Sequence, residues 1–276
     1  MKNIKIIFVL FIMLFASCEK VIDVDVRSIE PKLVIDASFE VLFDAFPVTA
    51  NTVVKLRLSA DYFETEIPTV TNATVFLTSL TDNSVINFSD ADLDGNYEPI
   101  NSFIPADNEA YELTIIFEGQ TYKGKAVKIK SSPLLKVIQG DKTLFAGNET
   151  EVIATFNDPI NIENYYLFDF SKNSFSILED RFFDGEMYDI SNYFSEDEIE
   201  LPETITVSMS GISKRYHTYF RILQSQSGQN SGGPFQSVPS SLLGNMINTT
   251  NENNFPLGYF HISETDTFTI NLVEKK

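Results

Sequence analysis

Basic residues are scarce in this chain. Twenty Lys and Arg stand against 39 Asp and Glu, for a formal charge of −19. No basic stripe remains to follow a phosphate backbone, which excludes nucleic-acid partners. Cysteine is scarcer still. Cys18 is alone, so no disulfide forms within the chain and stability rests on burial. Two histidines, His217 and His261, cannot build a His-rich metal site. Tryptophan is absent. The apolar run from Ile6 to Ala16 falls short of the roughly 20 residues a bilayer-spanning helix needs. What the chain does have is aromatic bulk: 24 Phe and 11 Tyr, enough to fill one or two cores.

The N-terminal pattern is specific. Lys2 and Lys5 precede the apolar run, and Ala16-Ser17-Cys18 closes it. A positive start, a core of this length and small residues before a cysteine resemble a bacterial lipoprotein signal. The expectation is cleavage after Ser17, with Cys18 acylated as the new first residue. Phe15 departs from the Leu that is commoner in such signals. The alternative is an ordinary secretory signal with a chance cysteine. Removing residues 1–17 takes away two lysines and moves the formal charge from −19 to −21.

The chain then divides by pattern. Residues 18–30 read as a polar tether, with Val-Ile-Asp-Val-Asp-Val inside it. Residues 31–130 carry short alternating runs punctuated by turns. In Thr52 to Leu58, Val54, Leu56 and Leu58 share one face while Lys55 and Arg57 share the other. Ala73 to Leu80 and Ser84 to Phe88 flank Thr-Asp-Asn, and Ala110 to Phe117 and Tyr122 to Ile129 flank Glu118-Gly-Gln120, two hairpin signals. This spacing predicts an immunoglobulin-like β-sandwich. Lys130-Ser-Ser-Pro133 reads as a boundary. Residues 134–276 predict a second β-rich domain, with strands at Leu134 to Ile138, Glu151 to Phe156, Tyr165 to Phe170, Thr204 to Met209 and Phe268 to Val273. One helix is predicted over 213–226, where Tyr216, Tyr219, Phe220 and Leu223 keep helical spacing and Ser213 serves as N-cap. The expected fold is mainly β, two sandwich-like bodies with one helix in the second.

Candidate chemistry is sparse. Neither histidine has a nucleophile elbow near it, so no catalytic residue is assigned. Carboxylates gather between Glu179 and Glu200. As a solvated acidic loop they need no function. As oxygen ligands, Asp180, Asp184 and Glu186 suit a structural calcium, though without the ordered spacing of an EF-hand. As a carboxylate pair they would suit a glycosidase, but only at a set separation within a cleft. The segment from Ser231 to Met246 is rich in Gly, Ser and Pro and carries Phe235, Leu242 and Leu243. Those three are candidate partner-contact residues, against the alternative that they cap the second sandwich.

Several short segments, in order, resemble the Bacteroidota lipoprotein family called domain of unknown function 4249. They are Cys18-Glu-Lys-Val-Ile-Asp23, Glu30-Pro-Lys-Leu-Val-Ile35, Asn164-Tyr-Tyr166, Gly232-Gly-Pro-Phe235, Gly244-Asn-Met246 and Leu257-Gly-Tyr-Phe260. The resemblance implies an outer-membrane lipoprotein, often encoded near TonB-dependent transporters, and supplies no catalytic residue. Glu19 and Asp23 look like a surface-export signal, which Lys20 interrupts. The expected role is therefore a non-enzymatic, lipid-anchored accessory protein facing the cell surface. It would serve a TonB-dependent transporter in substrate capture or complex assembly. The alternatives are a glycan-active surface hydrolase using the 179–200 carboxylates, and a structural adhesin-like module.

Overall fold

The computed structural model describes residues 30–60, 64, 66–144, 146–227 and 242–274. The expected signal segment, Cys18 and all of the tether but Glu30 lie outside the described residues. In chain order the strands are β1 (Leu33–Leu42), β2 (Thr49–Asn51), β3 (Val54–Leu58), β4 (Thr74–Ser79), β5 (Val85–Ser89), β6 (Asn96–Pro99), β7 (Ala110–Phe117) and β8 (Gln120–Ile129). They continue with β9 (Leu134–Gln139), β10 (Thr150–Asn157), β11 (Tyr165–Asp169), β12 (Phe175–Glu179), β13 (Met187–Phe194), β14 (Glu203–Gly211), β15 (Ile247–Asn248) and β16 (Leu257–Leu272). Helix α1 (Lys214–Gln226) stands between β14 and β15.

The first core follows from strict alternation. In β1, Ile35, Ala37 and Phe39 are wholly buried, while Asp36, Ser38 and Glu40 point to the other face. Strand β1 pairs antiparallel with β3 and parallel with β16. The pairing runs on through β6, β5, β4, β7 and β8. Strand β8 then meets β16 in parallel, at Ile262 opposite Lys128 and Ser263 opposite Ile129, so the path closes on itself. Inside lie Leu56, Leu77, Leu113, Phe260 and Ile262 beside the β1 residues. Phe39 stacks on Phe88 at 5.9 Å and meets Phe260 edge-on at 5.4 Å. Burying each such side chain is worth roughly 1.5–3 kcal/mol.

The second core uses the same long strand. Beyond the ring, the sheet extends from β16 to β14, β11 and β12. A separate sheet of β13, β10 and β9 faces it. Between them Phe156, Tyr166, Phe168, Phe170, Val207 and Met209 are wholly buried. Phe156 is the hub, with the rings of Tyr166, Phe168, Phe183 and Tyr188 at 5.0, 5.6, 5.9 and 6.2 Å. The fold is thus mainly β, with two sandwich-like bodies and one helix.

Strand β16 departs most from the sequence reading. The pattern marks Phe268 to Val273 as strand and Gly258 to His261 as a strand-like run, whereas the structure joins them in one strand, Leu257–Leu272. The polar Glu264-Thr265-Asp266 breaks the alternation, but each side chain has a partner. Glu264 Oε2 accepts the Ser131 amide at 3.1 Å, and Asp266 Oδ2 accepts the Leu134 amide at 2.6 Å. Thr265 Oγ1 lies 2.8 Å from Ser210 Oγ. Segment 131–133 joins β8 to β9, and residues of 134–276 serve both cores. Met246, Phe260 and Ile262 belong to the first core. The acidic region is also not one loop. It contains a 3-10 turn at Asp180–Phe182 and the whole of β13.

This sharing sets an expected outcome. Residues 31–130 expressed alone lack β16 and should show no cooperative urea transition, whereas residues 31–276 should show one. In the full chain, Phe260→Ala should cost about 3–5 kcal/mol, read from the shift in urea midpoint.

Candidate functional site

Helix α1 packs on the face of the extended sheet opposite the second core. Ser213 caps it, its hydroxyl accepting the Tyr216 amide at 3.1 Å. The helical spacing then brings Tyr216, Tyr219 and Phe220 onto Tyr165, Ile177 and Tyr259 of the sheet. The Tyr259 ring is 4.8 Å from Tyr216 and 5.0 Å from Tyr219. Burial raises the phenol pKa of all three tyrosines above the ordinary value.

The segment that returns from the helix is fastened by its backbone. A Cβ on Gly244 would fall on the carbonyl oxygen of Gly258. Gly258 itself has φ +95°, and a Cβ there would strike the carbonyl of Ile35. Asn245 completes the clamp. Its Nδ2 donates to the Phe260 carbonyl at 2.6 Å and its Oδ1 accepts the Phe260 amide at 2.8 Å. Met246 then enters the first core. Leu242 and Leu243 are in this way held opposite α1.

Between them lies a groove of about 520 Å³. Its walls are Lys214, Arg215, Thr218, Tyr219 and Ile222 from the helix, Leu242 and Leu243 from the returning segment, and Tyr259 from β16. Leu243 is 61% exposed. Arg215 Nη2 donates to the Gly244 carbonyl at 3.0 Å. Lys214 Nζ is 2.7 Å from Glu163 Oε1, which holds the lysine well above its usual pKa. The floor is aromatic and aliphatic, and two cations mark one end.

Of the candidate contact residues, the structure brings Leu242 and Leu243 into this groove. Phe235, Ser17 and Cys18 lie outside the described residues. The helix and its cap were legible from sequence. Tyr259 and Arg215 were not singled out, since one lies in a strand-like run and the other on the polar side of the helix.

Among the acidic residues, Asp180 and Asp184 do converge, together with Asp158, which the sequence reading did not include. Their carboxylate oxygens lie within 4.8 Å of one another. Such an oxygen set suits a hard cation such as calcium. Each carboxylate also has a structural task. Asp158 accepts the Tyr166 hydroxyl at 2.6 Å and the Gly185 amide at 3.1 Å. Asp180 accepts the Asn164 amide at 2.6 Å, and Asp184 the Asn161 amide at 2.8 Å. They staple the turn after β10 to the turn after β12. Burial, then Asp158 and Asp184, raise the Asp180 pKa. Asp90, Asp92 and Asp94 form a second, more exposed group of the same kind.

Both histidines are inside. His217 packs on Tyr165 at 5.0 Å between ring centres. The His261 ring packs at a tilt on Tyr216, 4.1 Å between ring centres, and its Nδ1 is 3.1 Å from Ser263 Oγ. Ser263 has no exposed surface, and His261 Nε2 is buried without a hydrogen-bond partner. This pair is closed to substrate and has no carboxylate hydrogen-bonded behind it among the described residues.

Of the motif segments, Asn164-Tyr-Tyr166, Gly244-Asn-Met246 and Leu257-Gly-Tyr-Phe260 meet in space, and comparison with known proteins agrees. A family model, Domain of unknown function (DUF4249), matches residues 19–269. The chain belongs to that family. No curated protein matches it. Among solved structures it is similar to the selenomethionine-substituted alpha chain of the chicken interferon gamma receptor, at 12% identity. That match covers 67% of this chain and 90% of the other with a TM-score of 0.20, and carries no functional argument.

Burial of His261 has a measurable consequence. Desolvation lowers its pKa to about 4 from 6.5, with Asp36 the opposing charge. Between those values only the unfolded chain takes up the proton, so stability is lost as pH falls from about 6.5 to about 4. The loss approaches roughly 3 kcal/mol. Glu40, Asp169, Asp180 and Asp266, all with raised pKa, act in the opposite sense. The comparison is therefore wild type against His261→Gln. Urea midpoints at pH 7.5 and 4.5 should show the wild type losing stability relative to the variant on acidification.

Proposed function

We propose that this protein is a non-enzymatic, lipid-anchored accessory protein of the outer membrane, which captures substrate for a TonB-dependent transporter. The observation that carries this reading is the groove of α1, Leu242–Leu243 and Tyr259. It has the size and the mixed apolar and polar lining of a small-ligand site. It is built on a helix and a strand that are packed from behind. The alternative of a surface hydrolase draws less support. The 179–200 carboxylates that converge, Asp180 and Asp184, are engaged by backbone amides. His261 and Ser263 are sealed inside.

The anchoring part of the reading rests on the N-terminal apolar run and Cys18. Among the described residues no helix is long and apolar enough to cross a membrane. Two or more acyl chains hold a protein stably on a bilayer, since each buried methylene contributes ~0.8 kcal/mol.

One experiment with two arms tests both parts. Cys18→Ser should move the protein from the membrane to the soluble fraction. Leu243→Asp should leave thermal stability nearly unchanged, because the side chain is mostly exposed. It should also remove the small molecule that co-purifies with the tagged wild type, while the transporter is still recovered with it from solubilised outer membrane. A Cys18→Ser protein that stays membrane-bound overturns the anchor. A transporter that is never recovered, or turnover of a glycan that Asp180→Asn abolishes, overturns the accessory role.

A further inference from the structure

The first turn of α1 carries Lys214 and Arg215 and no acidic residue. This runs against the helix dipole, whose N-terminal end is positive and favours carboxylates. It also runs against the composition, which has about two acids for every base. Helix stability does not explain two cations there. Lys214 is committed to Glu163. Arg215 is different. Among the described residues no carboxylate lies within 4 Å of it, and its one hydrogen bond there goes to the Gly244 carbonyl. A guanidinium has five N–H donors, so the described residues leave most of its capacity open at the end of the groove.

From that end the groove runs along Tyr219, Ile222, Leu243 and Tyr259, which offer no further charge. A cationic head on an apolar trough complements a ligand of the opposite make-up. The scale favours a small molecule over a protein. The groove has eight lining residues, whereas a protein interface takes roughly 20–30 a side. The volume of about 520 Å³ lies within the range of small-ligand sites. Resting on the capture reading above, the geometry points to an amphiphilic monocarboxylate as the occupant, its carboxylate on Arg215 and its hydrocarbon body between Tyr219, Leu243 and Tyr259.

The test uses the full-length Cys18→Ser chain, which carries no acyl group of its own to compete. Hexanoate, octanoate and decanoate, each below its micelle concentration, are titrated by calorimetry beside decanol and decylammonium. Affinity should rise about threefold to fourfold for each added methylene. Decanol should bind at least tenfold more weakly than decanoate, for want of the charged hydrogen bonds. Arg215→Gln should erase the preference for decanoate over decanol while keeping the melting temperature, and Leu243→Asp should weaken both.

Equal binding of decanoate and decanol would overturn the assignment, as would tighter binding of decylammonium. So would an unchanged preference in Arg215→Gln, or displacement of decanoate by a short acidic peptide. A concentration-dependent dimer that Leu243→Asp dissolves would make the occupant a second copy and sink the proposal as well. If decanoate fails while Leu243→Asp still loses the co-purifying small molecule, only the ligand class is wrong. If both fail, the capture reading falls with it.

Discussion

Two hydrogen bonds from one strand hold the two bodies of this protein in a single chain path. Glu264 and Asp266, neighbours but one in β16, accept the amides of Ser131 and Leu134 at the crossing between β8 and β9. A carboxylate accepting a backbone N–H makes a charge-assisted bond stronger than a neutral one. At this point it also satisfies an amide that has left one sheet and not yet joined another. Burial opposes the charge, raising the Asp266 pKa, so the bond persists where only its two amide donors offset the desolvation. The same strand closes the first ring through β1 and β8 and opens the second sandwich through β14. Removing β16 would take Phe260 and Ile262 from one core and Leu272 from the other.

That arrangement explains what could be read in advance. Strands with one wet face, such as β3 and β4, show clean alternation and were legible. Helix α1 was legible too, since its apolar stripe and Ser213 cap are local signals. Strand β16 was half hidden, because its polar middle pairs with backbone from residues more than a hundred positions away. Strand β13 was hidden for a related reason. Its sequence, Met-Tyr-Asp-Ile-Ser-Asn-Tyr-Phe, mixes acids with apolar residues, and only Ile190 and Phe194 turn fully inward. Local pattern reports which side faces water. It does not report a polar group whose partner is distant.

The motif segments make the same point from the other side. Asn164-Tyr-Tyr166 looks unremarkable as text. In space the Asn164 amide reaches Asp180, Tyr165 lies under α1, and the Tyr166 hydroxyl reaches Asp158 in the second core. Gly244 is small because the Gly258 carbonyl lies where its side chain would be, and Gly258 is small because the Ile35 carbonyl lies where its own would be. Asn245 bonds both the amide and the carbonyl of Phe260, acting as one more rung beside β16. These residues serve the geometry of the backbone, and so they mark the fold without naming a reaction.

The groove is a by-product of that clamp, and this bears on what it can recognise. Tyr259 is fixed by the strand it belongs to, and Tyr219 is fixed by packing on Tyr259 and by the helix cap. Leu243 is one residue from Gly244, which lies close against the Gly258 carbonyl. Arg215 is tied to the carbonyl of that same glycine. Head and trough are thus referenced to one backbone contact, so their spacing is set before any ligand arrives. A site ordered in advance spends little conformational entropy on binding. Its selectivity comes from length as well as charge, because a ligand must span the distance from Arg215 to Tyr219 and Tyr259 to use both ends. In a chain this acidic, the surrounding field repels anions in general. An anion that settles here must therefore gain from apolar contact what it loses in approach, which favours an amphiphile over a bare ion.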